Sequence, residues 1–201
     1  MLPVAHTWTA GRLCLDFANG ATLSTYADLA AWAAGAGAVP PAVARVLATT
    51  GRRRPAAATA ALARAGALKA AITAVMIAVA ERRPPPAQAL NDLNGALAET
   101  LGRTRIVRRG PGFSWDWNTG DDALDRLLWP IIRSASEVLT STDIAAVRVC
   151  AAPACRRLFL DGSRNGTRRW CDMAVCGNRA KVQRHYARRR STRARSAGGK
   201  S

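Results

Sequence analysis

The sequence predicts an α+β protein: a mostly helical N-terminal domain that carries one β-hairpin, followed by a small four-cysteine module ending in a basic helix. Three observations predict it. Apolar residues recur at helical spacing through most of residues 25–139, with one short stretch of period two. Four of the five cysteines fall in two pairs near the C-terminus. Basic charge gathers in the same place, where residues 148–201 hold 15 Lys and Arg against 2 Asp and Glu. A length of 201 residues suits one ordinary domain plus a small appendage.

The elements follow in order. Ser24 reads as the N-cap of a helix from Thr25 to about Ala34, with Leu29 and Trp32 on one face, stopped by Gly35, Gly37, Pro40 and Pro41. Val43 to Thr49 reads as a short second helix. Pro55 to Arg83 is Ala-rich, with Leu62, Leu68, Ile72, Val75, Met76 and Val79 at helical spacing. Pro55 suits a first turn and Pro84 to Pro86 cannot continue the helix. Gly66 marks an expected break. A further helix covers Ala87 to Leu101, ended by Gly102. Phe113, Trp115 and Trp117 then alternate with Ser114 and Asp116. With Thr104 to Arg109 across Gly110-Pro111-Gly112, they predict a hairpin whose Trp residues serve packing. Asp121 or Asp122 caps a last helix to about Leu139, kinked or split near Trp129 by Pro130. The boundary falls at about residue 143, giving units 1–143 and 144–190 and a basic tail 191–201.

The net charge of +17 points to a polyanionic partner, because self-repulsion gives a compact fold nothing. Met1 to Phe17 has no basic segment followed by an apolar stretch, and the apolar run Ala70 to Ala80 is shorter than the roughly 20 residues of a bilayer span. No membrane association and a cytoplasmic location are expected. The chain shows no Gly-rich phosphate loop, no HExxH and no G-x-S-x-G, and its two His are far apart in sequence, so no catalytic residues are predicted.

Cys150 and Cys155 enclose four residues, as do Cys171 and Cys176, and fifteen residues separate the pairs. Two short-spaced pairs bracketing a loop can surround one tetrahedral Zn²⁺. Disulfides would demand an oxidising compartment. An iron–sulfur cluster usually sits among apolar residues rather than arginines. A catalytic zinc keeps an open position. Structural zinc is therefore favoured, and the few large apolar side chains here make metal the main source of folding energy. Cys14, between Leu13 and Leu15, reads as an inert buried thiol.

Arg164, Arg168 and Arg169 lie in the loop between the pairs. Arg179, Lys181, Arg184 and Arg188 lie on a helix expected from Asn178 to Arg190, with Val182 and Tyr186 packing back on the knuckle. Such a helix fits a DNA major groove, whereas single-stranded RNA calls for exposed aromatics, for which only Trp170 and Tyr186 stand out. Duplex DNA is favoured over RNA.

Cys150-x4-Cys155, Phe159, Asp161, Ser163-Arg164-Asn165, Arg168-Arg169-Trp170-Cys171 and Cys176-Gly177-Asn178-Arg179-Ala180-Lys181 resemble the bacterial CGNR zinc-finger family. Gly11-Arg12-Leu13-Cys14-Leu15-Asp16-Phe17-Ala18-Asn19 resembles the opening signature of the ABATE domain, which typically precedes that finger in regulators of stress-induced transcription. Gly20 departs from the Thr common in the family. The resemblance implies zinc on Cys150, Cys155, Cys171 and Cys176, and DNA binding by the finger. Asp16 and Asn19, the polar residues of the signature, read either as ligand contacts or as local structural anchors. The combined expectation is a transcription regulator that acts on duplex DNA, as a homodimer or under an unidentified small-molecule effector. The competing reading is a ligand-binding or enzymatic N-terminal domain with an accessory finger for RNA or protein.

Overall fold

The computed structural model describes residues 9–20, 22–117, 123–183 and 186. Six helices come first: α1 (Leu13–Asn19), α2 (Tyr26–Gly35), α3 (Pro41–Arg53), α4 (Pro55–Ala80), α5 (Ala87–Gly102) and, after a hairpin, α6 (Trp129–Thr140). The hairpin pairs β1 (Thr104–Arg109) with β2 (Gly112–Trp117), antiparallel. A second small antiparallel pair, β3 (Val147–Val149) with β4 (Leu158–Leu160), opens the cysteine module.

Local chemistry explains the ends. The cap of α2 is Thr25 rather than Ser24. Its hydroxyl accepts from the Asp28 amide at 3.1 Å, and the Asp28 carboxylate accepts from the Thr25 amide at 2.9 Å. Asp28, three residues on, completes this capping box for Thr25, which decides between the neighbouring hydroxyls. The short helix expected at Val43 is longer, because Pro41 pre-sets its first turn and Leu47 buries along it. α4 runs through Gly66 without a break. Leu68, Ile72, Val75 and Met76 anchor the helix in the core, and this packing outweighs the roughly 1 kcal/mol that one glycine costs. Pro130 does split the last helix: a 3-10 turn, Leu124–Leu127, precedes α6, and the proline lies in α6's first turn. The proposed caps Asp121 and Asp122 lie outside the described residues.

α4 is the axis of the domain, contacting α1, α2, α3, α5 and β3. Its length and composition would also suit a membrane span. Leu15, Leu29, Ile72, Met76, Leu127, Ile131 and Val138 form one core around it. That core also takes in Val147 and Leu158, so β3 and β4 are packed on the helices rather than hung from them.

The hairpin corrects one expectation. Trp117 packs on Trp129 at 5.3 Å between ring centroids, but Phe113 is 77% and Trp115 48% exposed. All three alternate residues share one face of the ribbon, and distance from its base explains the split. Phe113 and Trp115 share a face with Ile106 and Arg108, towards the ribbon's free end, whereas Trp117, at the base, reaches the helices.

Candidate metal centre and its basic surround

Cys150 follows β3 directly, and its amide donates to the Arg157 carbonyl at 2.8 Å, which closes a knuckle between β3 and β4. The Cys155 amide donates to the Ala152 carbonyl at 2.9 Å, turning the second thiol back towards the first. Arg156 takes up a positive φ of 51°, the backbone strain of that tight return. The second pair is shaped by Asp172. Its carboxylate accepts from the Val175 amide at 2.9 Å, and its carbonyl accepts from the amides of Cys176 and Gly177. The result is a single π-helical turn, Met173–Gly177, which swings Cys176 inward. Residues 178–183 continue as α-helix.

The four Sγ atoms lie within 4.8 Å of one another, with 3.6 Å from Cys155 to Cys171 and 3.8 Å from Cys171 to Cys176. A tetrahedral shell with Zn–S bonds of about 2.3 Å needs sulfurs about 3.8 Å apart. The donor set therefore fits zinc. Burial, reinforced by the neighbouring thiols, pushes Cys171 well above the ordinary thiol range, and Cys176 rises with burial as the leading cause. Burial also acts to raise Cys155, but the Arg157 amide and the other three thiols outweigh it and lower that group. Four thiolates cannot gather here without a cation. Bound zinc supplies folding energy through a closed four-sulfur shell.

The loop between the pairs is organised by Asp161, a buried carboxylate to which sequence reasoning assigned no role. It accepts from the amides of Ser163 at 3.0 Å and Arg168 at 2.9 Å. The Ser163 hydroxyl first, and these amides after it, hold its carboxyl below the usual range. Its signal in the sequence is an Asp-Gly-Ser turn with only Arg and small residues after it.

The predicted basic contacts divide. Arg164, Arg169, Arg179 and Lys181 are exposed around the centre. The Arg168 guanidinium is engaged within the loop: Nε donates to the Trp170 carbonyl at 2.9 Å, another nitrogen donates to the Cys171 carbonyl, and the group lies 4.8 Å from the Phe159 ring centroid. Arg184 and Arg188 lie outside the described residues. Val182 and Tyr186, expected to pack on the knuckle, are 53% and 62% exposed. Phe159, buried under the thiols with Cys150, Ala152 and Cys176, supplies the apolar floor instead.

The N-terminal signature meets this module directly. The Asn19 amide nitrogen donates to the Leu158 carbonyl at 2.7 Å, and its oxygen accepts from the Leu158 amide at 2.9 Å. One side chain thus pairs with β4 as a neighbouring strand would. The Leu160 amide donates to the Ala10 carbonyl at 2.9 Å, and Asp16 accepts from the Ala10 amide at 3.2 Å. Gly20 packs close to the Phe17 carbonyl, and its own carbonyl accepts from Lys69. Cys14 is fully buried, and burial pushes its thiol up to about 11.

Two family models match. The CGNR zinc finger covers residues 146–189. A model described as "Putative stress-induced transcription regulator", ABATE, covers residues 11–142. The chain belongs to the ABATE family. Within this ABATE protein the finger follows the family domain directly, and neither family is described as an enzyme. A search of curated proteins returned no match.

Proposed function

We propose that this ABATE protein is a zinc-dependent, cytoplasmic transcription regulator whose finger contacts duplex DNA, while its helical domain senses a signal or dimerises. On this reading residues 1–143 and 144–190 are the two working units and 191–201 a basic tail. The observation that carries the reading is the exposure of Arg164, Arg169, Arg179 and Lys181 around one four-thiol centre. Guanidinium forks on a metal-locked frame suit phosphate oxygens and base edges. Arg168, bonded to the loop's own carbonyls, presents that frame rather than reading DNA, Asn19 joins the two units through Leu158, and Asp16 holds the Ala10 amide beside that seam.

The test is a fluorescence-anisotropy titration of zinc-loaded protein with duplex DNA at several salt concentrations. If about six phosphates are neutralised, log K falls against log salt with a slope near −5. Arg164→Ala lowers that slope by about 1 without loss of zinc. No binding, or binding without salt dependence, defeats the proposal. Single-stranded RNA belongs in the same assay, because exposed Phe113 and Trp115 offer stacking faces that the preference for duplex did not count.

A further inference from the structure

A cleft of about 360 Å³ opens between α4, α5 and the start of α6, on the helical domain. Its volume is in the range of small-molecule sites. The floor is apolar, formed by Leu68, Ala96, Leu128, Trp129 and Ile132. The space exists because small residues, Ala67 on α4 and Gly95 on α5, face it where larger ones would fill it. A Cβ added at Gly95 would meet nothing within 4 Å.

The polar lining is unusual for this chain. Among the described residues, eight carboxylates have a cation or a backbone amide as partner. Asp143 pairs with Arg12, Asp116 with Arg105, Glu137 with Arg133, and Glu81 with Arg83 and Arg156. Asp16, Asp28, Asp161 and Asp172 accept from backbone amides. Asp92, Glu99 and Asp125 have neither; Asp92 accepts only from the Gln88 side chain. All three line this one cleft, against a single guanidinium from Arg64. A second, independent observation lies at the same place. Thr100 also lines the cleft, is only 2% exposed, and its hydroxyl is buried with no hydrogen-bond partner among the described residues. An orphaned buried hydroxyl destabilises the fold unless something pairs with it.

We infer that this cleft binds an organic cation: an ammonium on an apolar, ring-bearing body of small-molecule size. The body displaces water from the Leu68, Leu128, Trp129 and Ile132 floor. The ammonium meets the Asp92, Glu99 and Asp125 carboxylates, and its N–H can donate to the Thr100 hydroxyl. Arg54 and Arg103 stand in the adjoining basin, which shares Arg64, Glu99 and Asp125 with the cleft. Arg103 already lies over the Trp129 ring at 5.8 Å. The inference supplies a ligand class for the sensing role proposed above, but it does not depend on DNA binding.

The chain's own charge makes the experiment discriminating. A protein of +17 attracts anions non-specifically and repels cations. Preference for a cation must therefore come from a local site. Full-length, zinc-loaded, DNA-free protein is titrated calorimetrically with 3,3-diphenylpropylamine and, as the sign-reversed counterpart, 3,3-diphenylpropionate. The amine is expected to saturate one site with a dissociation constant of about 1 mM or tighter, and the carboxylate to bind at least about 10-fold more weakly. Glu99→Gln and Asp125→Asn should each weaken the amine about 3- to 10-fold. Thr100→Val should weaken it about 3-fold while raising the melting temperature of the free protein. Gly95→Phe should block binding with zinc content and helical signal retained. Equal or stronger binding of the carboxylate, no saturable amine binding, or an amine affinity untouched by Glu99→Gln and Gly95→Phe overturns the inference. Because no DNA is present, a finger that fails to bind DNA leaves these outcomes readable.

Discussion

The helical domain and the cysteine module reach stability by opposite routes. The helices bury a continuous core of Leu, Ile, Met and Ala around α4, with Trp129 and Leu127 almost fully enclosed. Apart from Val147 and Leu158, which join the helical core, the described residues of the module bury Cys150, Ala152, Phe159 and Cys176 as a small cluster of their own. Three-residue strands and one phenyl ring cannot offset the entropy of ordering the loop between the cysteine pairs. The difference teaches where metal is needed: at the knuckle and the basic loop, and not at β3 and β4, which share the helical core.

The largest test of that contrast removes the metal. Structural zinc contributes about 10–16 kcal/mol of apparent folding free energy in finger peptides. A strong chelator, or Cys176→Ser, should abolish DNA binding and the order of residues 161–177. The cooperative melt of α1 to α6, followed by circular dichroism, should survive. Simultaneous loss of both would show that the two regions are one folding unit.

Asn19→Ala attacks the seam. It removes both bonds to Leu158 and strands the amide and carbonyl of that residue, at a cost of about 2–4 kcal/mol. The module should then protect its amides from hydrogen exchange less well, with zinc retained. If protection of β4 is unchanged, the seam is not held by this side chain.

Cys14 tests the helical side alone. The fold raises its thiol from the ordinary 9.0 to about 11, because burial opposes the thiolate. The protonated form is the one the fold favours. Its contribution is therefore complete below about pH 9 and lost as pH rises from 9 to about 11, a matter of about 3 kcal/mol. Urea unfolding at pH 8 and pH 10.5 should show this decline, and Cys14→Ala should flatten it.

The smallest effect is expected at the α2 cap. Thr25→Ala removes one half of the capping box and should lower stability by about 1 kcal/mol, with no change in zinc content or DNA affinity. Ser24→Ala should do almost nothing, which separates the observed cap from its neighbour.

Much of this was legible because it depends on near neighbours in the chain. Periodicity marked the helices. Proline placed the starts at Pro55 and Trp129, Gly110-Pro111 placed the hairpin turn, and two Cys-x4-Cys spacings named the metal ligands. Legibility failed where two residues distant in sequence decide an outcome. Nothing near Asn19 announces a pairing with Leu158, 139 positions away. Nothing near Phe113 says that it stays exposed, since an exposed and a buried aromatic have the same local pattern. Arg168 looked like its neighbours until the fold set carbonyls of Trp170 and Cys171 beside it.

The sequence by itself determined the order of α2 to α6 and the hairpin, the four sulfurs and the sign of the charge around them, though not α1 or β4, since propensity, spacing and composition act within a few residues. Only the tertiary structure decided which arginine bonds to the module's own backbone, which carboxylates line one cleft without an ion pair among the described residues, and that the Asn19 amide, the Leu160–Ala10 bond and a shared core join the zinc module to the helices. Those outcomes depend on which surfaces meet, and burial and hydrogen-bond partners are properties of the packed chain rather than of any segment of it.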